Sequence, residues 1–432
     1  MTGVLRFRGP LSALSEDARR RLLDRTTSGD DTIRRRTEAI LARVRKDGDG
    51  ALFQMAAEFD KAQLTSLEVP RDHWRAALDA LPADLRASLE RAARNIAKAH
   101  EAFLPKAMEV ETEPGVFVGR RPDPLSRVGV YAPGGRAAYP SSVLMGAVPA
   151  RVAGVVEVIL CSPPSPSGLP TQVVLAAAEL GKVDRVFAVG GAGAIAAMAY
   201  GTATVPRVDR IVGPGNAYVA EAKTQVAGAL ATDSPAGPSE LLALCDDSAD
   251  VDAVAREMLA QAEHDPRACV VTLALDEGTA ARVEAALGRA LEGQPRRELI
   301  TESLAFLGAI LHVGSLDEAV AFSNLFAAEH TLLALRQPRA VLSRLRNQGT
   351  VFIGETSSVA FGDYMTGSNH VLPTGGLARS YSGLSTLDFM RWTSYQRVER
   401  AAAAKLAGDT GVLADSEGLA AHAAAARAWK ER

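Results

Sequence analysis

Gln261 and His264 stand three residues apart near the end of an expected helix, and Asp265-Pro266 follows to stop it, so both side chains fall on one face. An amide oxygen and an imidazole nitrogen are both metal donors, but one Gln and one His are a weak motif alone. Glu329-His330 falls where a helical stretch passes into an apolar strand. An acid beside a base at an element end suits paired proton transfers; the plainer reading is a surface Glu before a buried His. The polar stretch from Gly362 to His370 comes just after a strand, an expected position for a site in an open α/β sheet. Asp363 offers an oxygen ligand there, and His370 a ligand or an orienting group. Glu417 and His422 lie five apart in the last helix, about 140° around it, and reach a shared site only from neighbouring faces. His73, His100 and His312 read as structural.

Three glycine turns end apolar strands: Pro133-Gly134-Gly135, Gly190-Gly191-Ala192-Gly193 and Gly213-Pro214-Gly215-Asn216. None is a GxGxxG, and each alone is as readily a tight turn as a ligand loop. Three on one sheet edge point to an anionic or dinucleotide ligand approached by backbone amides and helix N-termini.

The elements that must position these residues follow from hydrophobic period. From about Thr32 to Lys106 apolar residues recur every three or four positions, which predicts amphipathic helices. From Val128 short apolar strands alternate with helices, first at Val128-Tyr131, Val155-Leu160, Arg185-Val189 and Val208-Val212, then at Leu241-Cys245, Cys269-Leu275, Ala309-His312, Thr331-Leu335 and Thr350-Ile353. Such alternation predicts parallel sheets with crossover helices, in two tandem α/β units. An Ala-rich helical tail is expected from about Leu384, broken by Gly408 and Gly411. The expected divisions are 1–127 (N-terminal helices), 128–235 (first α/β domain), 236–383 (second α/β domain) and 384–432 (tail).

The chain's 432 residues exceed one core. With 48 basic and 51 acidic residues the net charge is −3, and aromatics are 5%, so nucleic acid is a poor partner. Cys161, Cys245 and Cys269 fit no metal or redox spacing and read as reduced core residues. Met1 to Arg25 has no apolar run resembling a signal, and Pro149, Arg151 and Glu157 interrupt the best membrane candidate, Val143 to Cys161. A cytoplasmic protein without a membrane partner is expected.

Taken in order, Val128-Gly129-Val130-Tyr131-Ala132-Pro133-Gly134-Gly135, Gly213-Pro214-Gly215-Asn216-Ala217-Tyr218-Val219, Ala236-Gly237-Pro238-Ser239-Glu240, Gln261-Ala262-Glu263-His264, Glu329-His330, Gly362-Asp363-Tyr364, Asn369-His370-Val371-Leu372-Pro373-Thr374 and Glu417-Gly418-Leu419-Ala420-Ala421-His422 resemble the histidinol dehydrogenase family over nearly the whole chain. The resemblance implies two tandem Rossmann-like open parallel-sheet α/β domains with N-terminal helices and a C-terminal helical tail. It implies a zinc- and NAD-dependent oxidation of L-histidinol through the aldehyde to L-histidine, the last step of histidine biosynthesis. By that resemblance Gln261, His264, Asp363 and His422 hold Zn2+, and Ser239, His330 and Glu417 join these ligands in holding substrate. Tyr131, Gly193 and Asn216 contact NAD, while Glu329 and His330 carry the proton transfers. A homodimer that exchanges its C-terminal segments and shares its active sites is implied as well.

Three positions depart from the family pattern. Ala328 stands where Pro is frequent, Gly193 where many members carry Gln, and Ser357-Ser358-Val359 where Ser-Pro-Glu is familiar. Ala328 costs only some rigidity, whereas the Gly193 and Val359 departures keep open a paralogue that oxidises another small polar alcohol, such as a hydroxylated sulfonate. The Glu417-Gly418-Leu419 to His422 tail favours histidinol. An inactive scaffold of the same fold would have no reason to keep every ligand and both acid-base residues.

Overall fold

A computed structural model describes residues 4–25, 30–134 and 138–430; Gly135 of the first glycine turn lies outside them. The N-terminal region holds β1 (Phe7–Pro10), α1 (Glu16–Leu23), α2 (Asp31–Asp47), α3 (Asp49–Phe59), β2 (Glu68–Val69), α4 (Arg71–Asp79), α5 (Ala83–Ala102), β3 (Met108–Glu113) and β4 (Val116–Pro124). Asp30 opens α2 by accepting the Thr32 and Ile33 N–H groups, and Gly48 closes it at φ 55°, a left-handed value that suits glycine.

The first α/β domain runs β5 (Arg127–Tyr131), α6 (Pro140–Val152), β6 (Glu157–Ser162), α7 (Gln172–Leu180), β7 (Arg185–Ala188), α8 (Gly191–Tyr200), β8 (Arg210–Val212), α9 (Ala217–Val226) and β9 (Ala231–Thr232). The second runs β10 (Glu240–Cys245), α10 (Val251–Ala262), β11 (Cys269–Ala274), α11 (Glu277–Leu291), α12 (Arg297–Leu307), β12 (Gly308–His312), α13 (Leu316–Phe326), β13 (His330–Ala334), α14 (Pro338–Leu342), β14 (Thr350–Ile353) and α15 (Val359–Tyr364). The sheet orders are β2-β7-β6-β5-β8-β9 and β1-β12-β11-β10-β13-β14. Numbered within each domain, both sheets therefore read 3-2-1-4-5, the same parallel winding used twice. Strands β10, β11 and β13 are buried at every residue, as continuous apolar runs covered on both faces require. Each sheet keeps its own pair of apolar cores, one per face.

Three expectations are corrected. The N-terminal region is not purely helical: β1 extends the second sheet and β2 the first, while β4 pairs antiparallel with both β3 and β15 (Met390–Val398) in a separate three-stranded sheet. The tail thus holds a strand ahead of its α-helices. Gly408 and Gly411 do not break its helix, because α16 (Arg400–Ser416) runs through both. A Cβ at Gly411 would come 2.6 Å from the Arg427 side chain, so glycine there lets α17 (Ala420–Arg427) lie close against α16. The break comes instead at Gly418, with φ 75°.

The segment after α15 ties the two α/β domains together. Asn369 Nδ2 donates to the Met145 carbonyl of α6 at 2.8 Å, and Val371 and Leu384 join the first domain's core. Thr374 Oγ1 accepts from Gly237 N–H, just before β10. The carboxyl edge of the first sheet, where α6 begins, thereby faces the amino edge of the second. Among the described residues no helix is long and apolar enough to cross a membrane.

Candidate active site

Strands β10 and β13 pair with Leu241 opposite His330, which brings the Glu240 backbone beside Glu329-His330. Glu240 N–H donates to Glu329 Oε2 at 2.8 Å, and the Glu240 carbonyl lies 3.0 Å from His330 Nδ1. A carbonyl only accepts, so Nδ1 carries the proton and the neutral ring holds its lone pair on Nε2. Nε2 has no hydrogen-bond partner among the described residues and stands 3.6 Å from Asp363 Oδ1. The structure therefore places a buried acid, a buried base with one open nitrogen, and a second carboxylate together. Burial pushes the Glu329 carboxyl up to about 8. Burial also opposes the charge on His330, but Glu329 and Asp363 outweigh it and raise the imidazole to about 9; a cation on Asp363 would offset that support and favour the neutral ring with its lone pair on Nε2. Burial of Asp363 is outweighed by the His330 charge, which keeps its carboxyl below the ordinary range.

Asp363 and Gln261 come from helices that run back from the far edge, so both lie near helix C-termini and the site gathers at the amino ends of the strands. This corrects the expected position for an open sheet, the carboxyl edge. Helix C-termini carry partial negative charge, which suits a cation. Gln261 is 2% exposed and its Oε1 has no partner among the described residues, an orphaned oxygen that a metal would satisfy. His264 follows at the rim, exposed to solvent. Gln261, His264 and Asp363 make a mixed N/O donor set that fits zinc, although among the described residues no three His, Cys, Asp or Glu side chains converge as a metal cluster. His370 has neither nitrogen open: Nδ1 meets the Asp363 carbonyl at 2.9 Å and Nε2 meets Ser142 Oγ at 3.3 Å, so it orients the Asp363 turn. Ser239 is half-buried immediately before Glu240. Glu417 and His422 are not brought here; both are exposed on the tail, and α17 packs chiefly on α16.

At the carboxyl edge of the first sheet, Tyr131 ends β5 and its hydroxyl accepts from Gly191 N–H at 3.1 Å, tying the strand to the first turn of α8. Burial raises this phenol to about 12. Gly213 has φ 116°, and a Cβ there would lie 2.0 Å from the Tyr131 carbonyl, so only glycine lets the turn after β8 cross the end of β5. Asn216 is exposed and caps α9, its Oδ1 accepting from Tyr218 and Val219 N–H. Gly193 is buried within α8, and a Cβ there would meet Met55 Sδ at 3.1 Å, so α3 occupies the room a side chain would need. Sequence reasoning missed Lys223 and Asp233, which hold this turn: Lys223 Nζ donates to Gly213 O and Asp233 Oδ1, and Asp233 Oδ2 accepts from Gly213 N–H at 2.7 Å. The available signal was a lone Lys on the buried face of an apolar helix.

Residues 23–429 match the family model described as histidinol dehydrogenase. The chain is 44% identical to the histidinol dehydrogenase of Methanosarcina barkeri over 418 residues, covering 96% of each protein. It is 46% identical to that of Bordetella parapertussis over 401 residues, 92% of this chain and 91% of that one. The crystal structure of histidinol dehydrogenase from Elizabethkingia anophelis superposes with a TM-score of 0.95 at 32% identity, over 100% of this chain and 99% of that one.

Proposed function

The chain belongs to the histidinol dehydrogenase family, and from that premise we propose that it oxidises L-histidinol by two hydride transfers, through the aldehyde, to L-histidine in the cytoplasm. The observation that carries the reading is His330 Nε2, buried, without a hydrogen-bond partner among the described residues, and left to carry the lone pair of the neutral ring because the Glu240 carbonyl takes the Nδ1–H. In the first oxidation this nitrogen takes the hydroxyl proton as the carbinol carbon gives up hydride. In the second, Glu329 takes a proton from the water that adds to the aldehyde, and the hydrate then gives up the second hydride. The product carboxylate makes that step effectively irreversible.

NAD, when bound, supplies the hydride acceptor for both oxidations. Tyr131, Asn216 and the first turn of α8 at Gly193 would hold it, with Gly193 contributing close backbone rather than a side chain. Zinc, when bound, supplies positive charge that fixes the substrate's orientation. Gln261, His264 and Asp363 would hold it together with His422 of the partner subunit, while Ser239, His330 and Glu417 steady the substrate. The orphaned Gln261 oxygen supports the metal, and exposed apolar residues on the tail, Val412 at 63% and Leu413 at 67%, support the exchanged homodimer.

One observation keeps the second reading in view. Val359 is fully buried at the start of α15 and contributes no carboxylate, so substrate recognition differs there from the familiar pattern, and a hydroxylated sulfonate is the alternative. The two are separated by measuring NADH formed per molecule of L-histidinol and per molecule of 2,3-dihydroxypropane-1-sulfonate, with and without chelator. Two NADH per histidinol, lost on chelation, are expected. Turnover of the sulfonate alone would move the assignment to the paralogue.

A further inference from the structure

Glu240 touches both members of the acid-base pair without lying in the path of substrate. Its N–H binds Glu329 Oε2, its carbonyl fixes His330 Nδ1, and its Oε2 accepts from Glu329 N–H at 3.4 Å. Its carboxylate, only 3% exposed, must find compensation inside the protein. Arg25 supplies it: Nε donates to Oε1 at 2.8 Å and Nη2 to Oε2 at 3.2 Å, and Gly375 N–H adds a third bond to Oε1 at 2.8 Å. The guanidinium is itself held. Nη1 donates to Leu22 O at 2.5 Å, Nη2 to Phe326 O at 2.6 Å, and the Phe326 ring lies 3.7 Å beneath it. Phe326 ends α13, and three residues further on the chain reaches Glu329, through Ala327 in the left-handed region at φ 52°.

We propose that Arg25 and Glu240 form a positioning unit for the reaction, a fork that clamps the end of α1, the start of β10 and the turn before Glu329 so that both acid-base groups keep their aim. The inference rests on the roles proposed above for Glu329 and His330. Stability alone is a poor account of the pair, since apolar residues fill such a place as well or better. The hydrogen bonds are spent instead on the backbone that carries the two reacting groups. A displacement of that backbone by about 1 Å is enough to cost on the order of 100-fold in rate.

The test compares Arg25→Met, Glu240→Gln and Arg25→Lys with wild type, using whichever alcohol reduces NAD, so that a wrong substrate reading leaves the comparison standing. Arg25→Met and Glu240→Gln should each lower kcat on the order of 100-fold in both half-reactions together, with KM within about threefold of wild type. Zinc content and NAD affinity should stay unchanged. Arg25→Lys keeps the charge and loses the fork, and should recover about tenfold of the loss. Combining Arg25→Met with Glu240→Gln should cost little more than either alone, because the two act as one unit. Arg25→Lys is read if the other variants do not fold. Wild-type kcat in a folded variant, a loss that falls on KM, or a loss that merely tracks the unfolded fraction overturns the proposal.

Discussion

At Glu329 and His330 the proposed division of labour follows from which proton each can take. His330 offers one open nitrogen to an alcohol, whereas only aldehyde oxidation needs an activated water. Replacing His330 with Asn should slow the alcohol step by about 10²- to 10⁴-fold, while Glu329→Gln should slow chiefly the oxidation of added aldehyde. Rapid-mixing assays that start from alcohol or from aldehyde separate the two. Equal losses in both half-reactions for both variants would remove the assignment. The identities of these residues were legible, because an acid beside a base at the start of a strand stands out in sequence. Which nitrogen stays open was not, since the Glu240 carbonyl decides it through pairing between strands 90 residues apart.

Elements differ in how openly they declare themselves. The parallel strands were legible as unbroken apolar runs, because both faces are covered. The antiparallel sheet was not: β3 reads Met-Glu-Val-Glu-Thr-Glu and is exposed at every residue, so no inward face marks it. The edge on which the site would sit was also hidden, since it depends on where α10 and α15 end relative to the strands. Helix α5 hides a different feature. His100 lies in its last turn, where a helix C-terminus favours a charged imidazole, yet the ring is 2% exposed and neither nitrogen has a partner among the described residues. Burial lowers it to about 4. Between the unfolded value near 6.5 and this folded value the unfolded chain takes up a proton that the folded chain refuses, so stability is full above about pH 6.5 and falls as pH falls towards 4. Urea titrations at pH 7.5 and pH 5 should show His100→Leu gaining about 2 kcal/mol on wild type over that interval. A constant difference between the two proteins would mean that His100 is protonated or solvated in the folded chain.

For the whole molecule the decisive question is what completes the metal end, because His422 sits on a tail whose main neighbour is its own α16. With exchanged tails, each site combines Gln261, His264 and Asp363 of one subunit with Glu417 and His422 of the other. Mixing inactive His422→Ala and His264→Ala chains should then restore roughly a quarter of wild-type activity, since about half the dimers are mixed and each has one intact site of two. No recovery after demonstrated subunit exchange would assign the tail to its own subunit.

The separate cores of the two sheets bear on how such a chain changes over generations. The turn proposed to face the nucleotide rests on one sheet, with Gly213 and Lys223, and the proposed acid-base edge on the other. A substitution such as the one at Val359 is absorbed by the packing of the second half alone. Selection can therefore try new alcohols at one end while the means of carrying away their electrons is inherited intact at the other.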